Sequence, residues 1–128
     1  TGEPSPTTVL LMAAARRDFF LTVQHGQFYQ GKPVIGYDLP GFGDELCGLP
    51  YLPRLIAKAR AKLVGSMGDD IIYCCENDRR FFRDHGNIHP ADFLRVVWAA
   101  GDSDPKVYDY VRQRTLSVSS AVPDNEQT

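Results

Sequence analysis

The segment "LPRLIAKARAKLVG" (52–65) carries Arg54, Lys58, Arg60 and Lys62 and no acidic residue, in a chain of formal net charge −2. Helical spacing sets Arg54, Lys58 and Lys62 at i, i+4 and i+8, a stripe of one sign, with Arg60 turned elsewhere. Arg suits bidentate contact with a carboxylate or phosphate. Lys offers a point charge to the same groups or to a polarised carbonyl. A solvated helix face usually mixes signs, because opposite charges four residues apart support the helix. This one needs its acids from elsewhere. Either Asp44, Glu45, Asp69, Asp70 or Asp78 supplies them in an ion-pair network, or an anionic ligand does.

A second cluster lies in "YCCENDRR" (73–80). Cys75 with Asp78 reads as a nucleophile and its partner, or Asp78 as a base kept ionised by Arg79 or Arg80. The plainer alternative buries the cysteines as small hydrophobes and uses Asp78 as a helix cap. Tyr73 and His85 are further acid–base candidates. The expected catalytic set is therefore Asp78, Tyr73 and His85. The expected binding set is Arg54, Lys58 and Lys62, joined by Tyr37, Phe42 and Tyr51 from an aromatic loop that can cover an apolar pocket. Cys74, Cys75, His85 and His89 lack zinc spacing, since adjacent cysteines make no Cys-x-x-Cys clamp. No metal is expected. With no Gly-rich phosphate loop, Gly-x-Ser-x-Gly elbow or His-Glu-x-x-His, no cofactor is expected either.

The elements that must position these residues read as follows. Ser5 caps and Pro6 opens a first helix running to Val23, closed by Gly26. Residues 27–50 form a long Gly/Pro/aromatic loop, with a short strand at Val34 and Ile35. A second helix spans about 51–64, with Leu52, Leu55, Ile56, Ala59 and Leu63 facing inward and Gly65 ending it. "IIYCC" (71–75) reads as a short buried strand. Asn77 or Asp78 caps a short helix, His89-Pro90 opens a third long one closed by Gly101, and Asp104-Pro105 begins the last. The expected fold is mainly α: about four to five helices, the long loop and at most a short strand pair. Residues 1–116 form one domain, made of the N-terminal helix and loop (5–50) and a helical core (51–115), and 117–128 form a flexible tail.

Composition bounds the function. At 43% hydrophobic and 23% charged, a chain of this length buries a core without disulfides or a structural metal. The slightly acidic balance argues against a nucleic-acid partner. Three cysteines, two of them adjacent, make a poor disulfide framework and point to the reduced cytoplasm. "VLLMAAA" (9–15) is too short to span a bilayer and lacks a basic leader, so no membrane is expected.

"GLPYLPRLIAKARAKLVGSMGD" followed by "YCCENDRRFF" resembles a family of small bacterial proteins known only as a domain of unknown function, the family numbered five thousand and sixty-nine. The resemblance runs over roughly residues 38–112 and rests on Gly48, Leu52, Pro53, Arg54, Lys58 to Leu63, Gly65, Gly68, Tyr73, Cys75, Asp78, Arg80 and Phe81. Ala57 stands where the family has Asp, Glu76-Asn77 stands where it has Pro-Leu, and an extra residue sits near Asp69 and Asp70. The resemblance implies a fold and no chemistry, while the altered boxes and the N-terminal extension suggest a dedicated task in specialised metabolism. The leading expectation is a small-molecule-binding protein. As an enzyme it would be a cofactor-independent isomerase, cyclase or lyase for an anionic or carbonyl-containing substrate. The alternative is a non-enzymatic module docking an acidic partner through the Arg54/Lys58/Lys62 face.

Overall fold

Local capping chemistry sets most of the element boundaries in the computed structural model, which describes residues 4–126, with side chains as far as Val118. Helix α1 (Pro6–Thr22) starts where Ser5 Oγ accepts the Thr8 amide at 3.1 Å, satisfying one of the unpaired N–H groups of the first turn. Only Met12 and Ala15 of α1 are buried. The loop that follows has no regular structure until a single 3-10 turn at Gly36–Asp38. The strand expected at Val34 and Ile35 shrinks to one parallel bridge between Val34 and Met67. Val34 donates to Ser66 O and accepts from Gly68 N, both at 2.7 Å. A hairpin of two-residue strands, β1 (Glu45–Leu46) and β2 (Leu49–Pro50), pairs Glu45 with Pro50 and Leu46 with Leu49. Its turn is Cys47-Gly48, both at positive φ (53° and 82°), the twist that two-residue hairpins favour.

Helix α2 (Leu52–Val64) follows and ends at Gly65, whose φ of 82° is the left-handed value a helix terminus uses. Its inward face is the expected one, Leu52, Leu55, Ile56, Ala59 and Leu63, and Lys58 is buried with them. "IIYCC" is not a strand. It is a turn with Cys74 at φ 71° and Ile72 two-thirds exposed. Among the described residues no neighbouring strand pairs with its backbone. Instead an Asp78 carboxylate oxygen accepts the Cys74 amide at 2.8 Å. Helix α3 (Glu76–Asp84) starts earlier than expected, with Cys75 rather than Asn77 or Asp78 at the cap position.

Helix α4 (Pro90–Ala100) opens on His89, whose ring nitrogen accepts the Ala91 amide at 3.0 Å. Helix α5 (Asp104–Glu126) turns Val107 and Val111 inward. It continues through most of the segment expected as a tail, and residues 127 and 128 lie outside the described ones. The core gathers where α2 and α4 cross, around Leu52, Leu55, Ile56, Phe93, Leu94 and Val97. Each such side chain contributes about 1.5–3 kcal/mol by leaving water. Ion pairs tie the periphery: Arg60 to Asp104 (2.6 Å) joins α2 to α5, and Arg95 to Asp18 (2.8 Å) joins α4 to α1. The described residues thus form a mainly helical protein of five α-helices and one small hairpin.

Candidate functional site

Asp78 sits in the first turn of α3 and is completely buried. One carboxylate oxygen accepts the Cys74 and Cys75 amides at 2.8 and 3.3 Å and lies 2.9 Å from Lys58 Nζ. The other accepts from Lys58 Nζ at 3.0 Å and from the Tyr51 hydroxyl. A buried charge persists only when such partners replace its water. Lys58 is itself 4% exposed, and its third neighbour is Cys75 Sγ at 3.4 Å. The acid that Lys58 needed is therefore Asp78, from the next helix, and the carboxylate has no capacity left for a free base's work.

Tyr51 leads into α2 at φ 76°, an unusual backbone for a bulky residue. Its amide donates to Asp44 O at 3.0 Å and its hydroxyl is held by Asp78, so both ends over-determine the strained conformation. Burial, then the Asp78 hydrogen bond and charge, then Cys75, push the phenol far above its ordinary value. Tyr51 thus remains a protonated donor. Its ring lies between Phe42 (5.9 Å) and Phe81 (6.0 Å).

Arg54 is placed differently. Its guanidinium lies 4.1 Å over the Phe42 ring, and one terminal nitrogen donates to Pro40 O at 3.0 Å. Its Nε is buried without a hydrogen-bond partner, and no acid pairs with it among the described residues. Arg54, Lys58, Tyr51, Phe42 and Cys75 together face a cavity of about 210 Å³, with Asp70 at its edge. Asp70 is engaged, accepting the Gly36 amide at 2.9 Å.

Five of the expected site residues, Arg54, Lys58, Asp78, Tyr51 and Phe42, thus meet at one place. Four do not. Tyr73 is 5% exposed and donates to Pro90 O at 2.8 Å. Burial, then the Asp78 charge, raises it well above the usual tyrosine range, and it fastens the chain to the start of α4. His85 caps the end of α3, with Nδ1 2.8 Å from Phe81 O and its ring stacked 4.1 Å from that of Phe81. It borders a neighbouring cleft of about 290 Å³ beyond Tyr51 and Phe42. Lys62 turns towards α1, where burial and then the charge of Arg16 lower its value. Tyr37 is 93% exposed and lines none of this. The three cations therefore form no common exposed face: Lys58 is buried against Asp78 at the inner wall of the cavity and Lys62 lines another groove.

Cys75 is the residue that the expected set lacked. Its place at the start of α3, beside an ammonium, is the setting in which thiols act as nucleophiles or proton carriers. The signal for it was the three-residue step to Asp78, which puts cap and carboxylate in one turn. Cys74, by contrast, is 1% exposed and burial pushes its thiol up. Among the described residues no three His, Cys, Asp or Glu side chains gather as a metal site, and no helix is long and apolar enough to cross a membrane. The arrangement can bind a carboxylate or carbonyl oxygen at Arg54 and present a phenol and a thiol to the bound molecule.

A family model described as "Domain of unknown function (DUF5069)" matches residues 43–121, from the hairpin into α5 and short of α1. No curated protein and no solved structure matches the chain.

Proposed function

We propose the following for this chain, which belongs to the DUF5069 family: it binds a small molecule bearing a carboxylate or polarised carbonyl in the Arg54 pocket, as a cofactor-independent enzyme. One observation carries the reading. Arg54 lies over Phe42 at the cavity wall, tied to Pro40 O, with no acid to neutralise it among the described residues. An anionic or carbonyl oxygen in the cavity supplies the counter-charge this guanidinium lacks, and Arg is the side chain best shaped to take it.

The neighbouring groups suit proton-transfer chemistry. A ligand oxygen held at Arg54 has negative charge stabilised on it as an enolate or similar anion develops. The Cys75 thiol is the group positioned to move a proton at the adjacent carbon or leaving group, and the Tyr51 oxygen, its own proton held by Asp78, can accept a hydrogen bond from the bound molecule. Asp78 and Lys58 act one step back: they orient Tyr51 and Cys75 and balance each other's charge. Isomerisation, cyclisation or elimination needs no more than this. Docking of an acidic partner on an Arg54/Lys58/Lys62 face gains no support, because that face is not continuous.

The test is a thermal-shift screen of carboxylates, oxo acids and phosphates against the wild type and Arg54→Met. A true ligand at a hundredfold excess over its Kd adds about 2.7 kcal/mol of apparent stability. Arg54→Met should remove that shift while the ligand-free melting temperature stays close to wild type. Equal shifts in both proteins, or none in the wild type, would refute the reading.

A further inference from the structure

A second groove lies away from Asp78, between α1 and the end of α2, enclosing about 330 Å³. Its floor is apolar: Val9, Met12, Ala13 and Phe20 share one face of α1 by helical spacing. Phe28 returns from the loop to close one end, its ring 4.9 Å from that of Phe20. The rim is cationic, made of Arg16, Arg17 and Lys62. Arg16 Nε donates to the Lys62 carbonyl at 3.2 Å and its guanidinium lies against Gly65, where any side chain would collide with it. No acidic side chain pairs with Arg16, Arg17 or Lys62 among the described residues, and Asp18, the acid on α1, is taken by Arg95.

Three like charges over an apolar floor repel one another and lack counter-charge. The half-buried Lys62 registers this, its value lowered by burial and by Arg16. Water-exposed hydrocarbon and unneutralised cations are relieved together by one kind of molecule. We propose that this groove is a second binding site, for an amphipathic carboxylate: its hydrocarbon body lies on Val9, Met12 and Phe20, and its carboxylate meets Arg16, Arg17 and Lys62. The enclosed volume matches a single small molecule. The site is independent of the Arg54 pocket, since no residue is common to the two linings.

Isothermal titration of the full chain with sodium decanoate below its micelle concentration tests this. Saturable one-to-one binding is expected, at least tenfold tighter than 1-decanol or decyltrimethylammonium. The double variant Arg17→Gln, Lys62→Gln should weaken decanoate at least tenfold. Ala13→Trp, at an exposed position that adds bulk to the groove, should block it with an unchanged melting temperature. Arg54→Met should leave decanoate binding intact, which separates this site from the one above. No saturable binding, decanol binding as tightly as decanoate, or an unaffected double variant would each overturn the proposal. So would capture by phosphatidylglycerol vesicles with no binding of free decanoate, which would identify a lipid surface instead.

Discussion

Asp78 joins three stretches of chain: the α2 entry through Tyr51, the α2 interior through Lys58 and its own turn through the Cys74 and Cys75 amides. Removing it leaves an ammonium buried without counter-charge and two amides without acceptors. Asp78→Ala should therefore cost about 3–5 kcal/mol. Lys58→Met should cost less, about 1–3 kcal/mol, because the carboxylate keeps Tyr51 and both amides. Urea unfolding of the two variants measures the difference, and equal losses would contradict this division of labour. The sequence made Asp78 a candidate and named an ion-pair network as the rival to ligand binding. It could not apportion the stripe. Arg54, Lys58 and Lys62 are equivalent by helical spacing. Their fates diverge only because α3 brings an acid to one, Phe42 brings a ring to another and α1 brings Arg16 to the third.

Elements were most legible where their signals are local. Ser5-Pro6, Gly65 and His89-Pro90 mark helix ends through chemistry within one turn, and the helices begin or stop there. "IIYCC" misled because a β-branched apolar run also fits a turn that divides its residues between core and solvent, as Ile71 and Ile72 do here. The positive φ of Cys74 has no signature in its residue type, since it is imposed by the Asp78 carboxylate. The same holds at Tyr51. The hairpin turn offers a cleaner case, because Cys47 is exposed and holds φ 53° next to Gly48 at 82°. Asn tolerates that conformation better than Cys, so Cys47→Asn should raise stability by roughly 0.5 kcal/mol. Thermal or urea melting reads this directly, and a loss of stability would show that the Cys47 thiol does something the turn alone does not require. Helix α1 provides another element-level test. Phe19 meets Trp98, the chain's single tryptophan, edge-on at 5.3 Å. Phe19→Ala should change Trp98 emission and cost about 1–3 kcal/mol, below the value for a fully enclosed ring.

For the whole molecule, alkaline pH is the informative variable. Tyr51 and Tyr73 are both raised above the ordinary value of 10.0. A group raised on folding contributes stability that is complete below its unfolded value and is lost as pH climbs towards its folded one. Stability should therefore hold to about pH 10 and fall beyond it. Lys62, lowered from 10.5, works in the opposite direction by shedding an unfavourable charge as pH rises, so the descent belongs to the tyrosines. Urea unfolding of Tyr73→Phe should show a shallower decline above pH 10, and an unchanged slope would remove Tyr73 from the account. The family match begins at residue 43, yet α1 contributes Met12 and Ala15 to the common core, so the extension is built into the molecule and not appended to it. The Asp78 junction also orders events in time. Lys58 precedes its counter-charge by twenty residues in the chain, so as the polypeptide leaves the ribosome α2 can form with its ammonium on the inward face but cannot bury it. Burial of that ammonium must wait until the first turn of α3 has emerged, and the apolar face of α2 stays open until α4 follows, an interval in which such a chain is prone to aggregation and proteolysis.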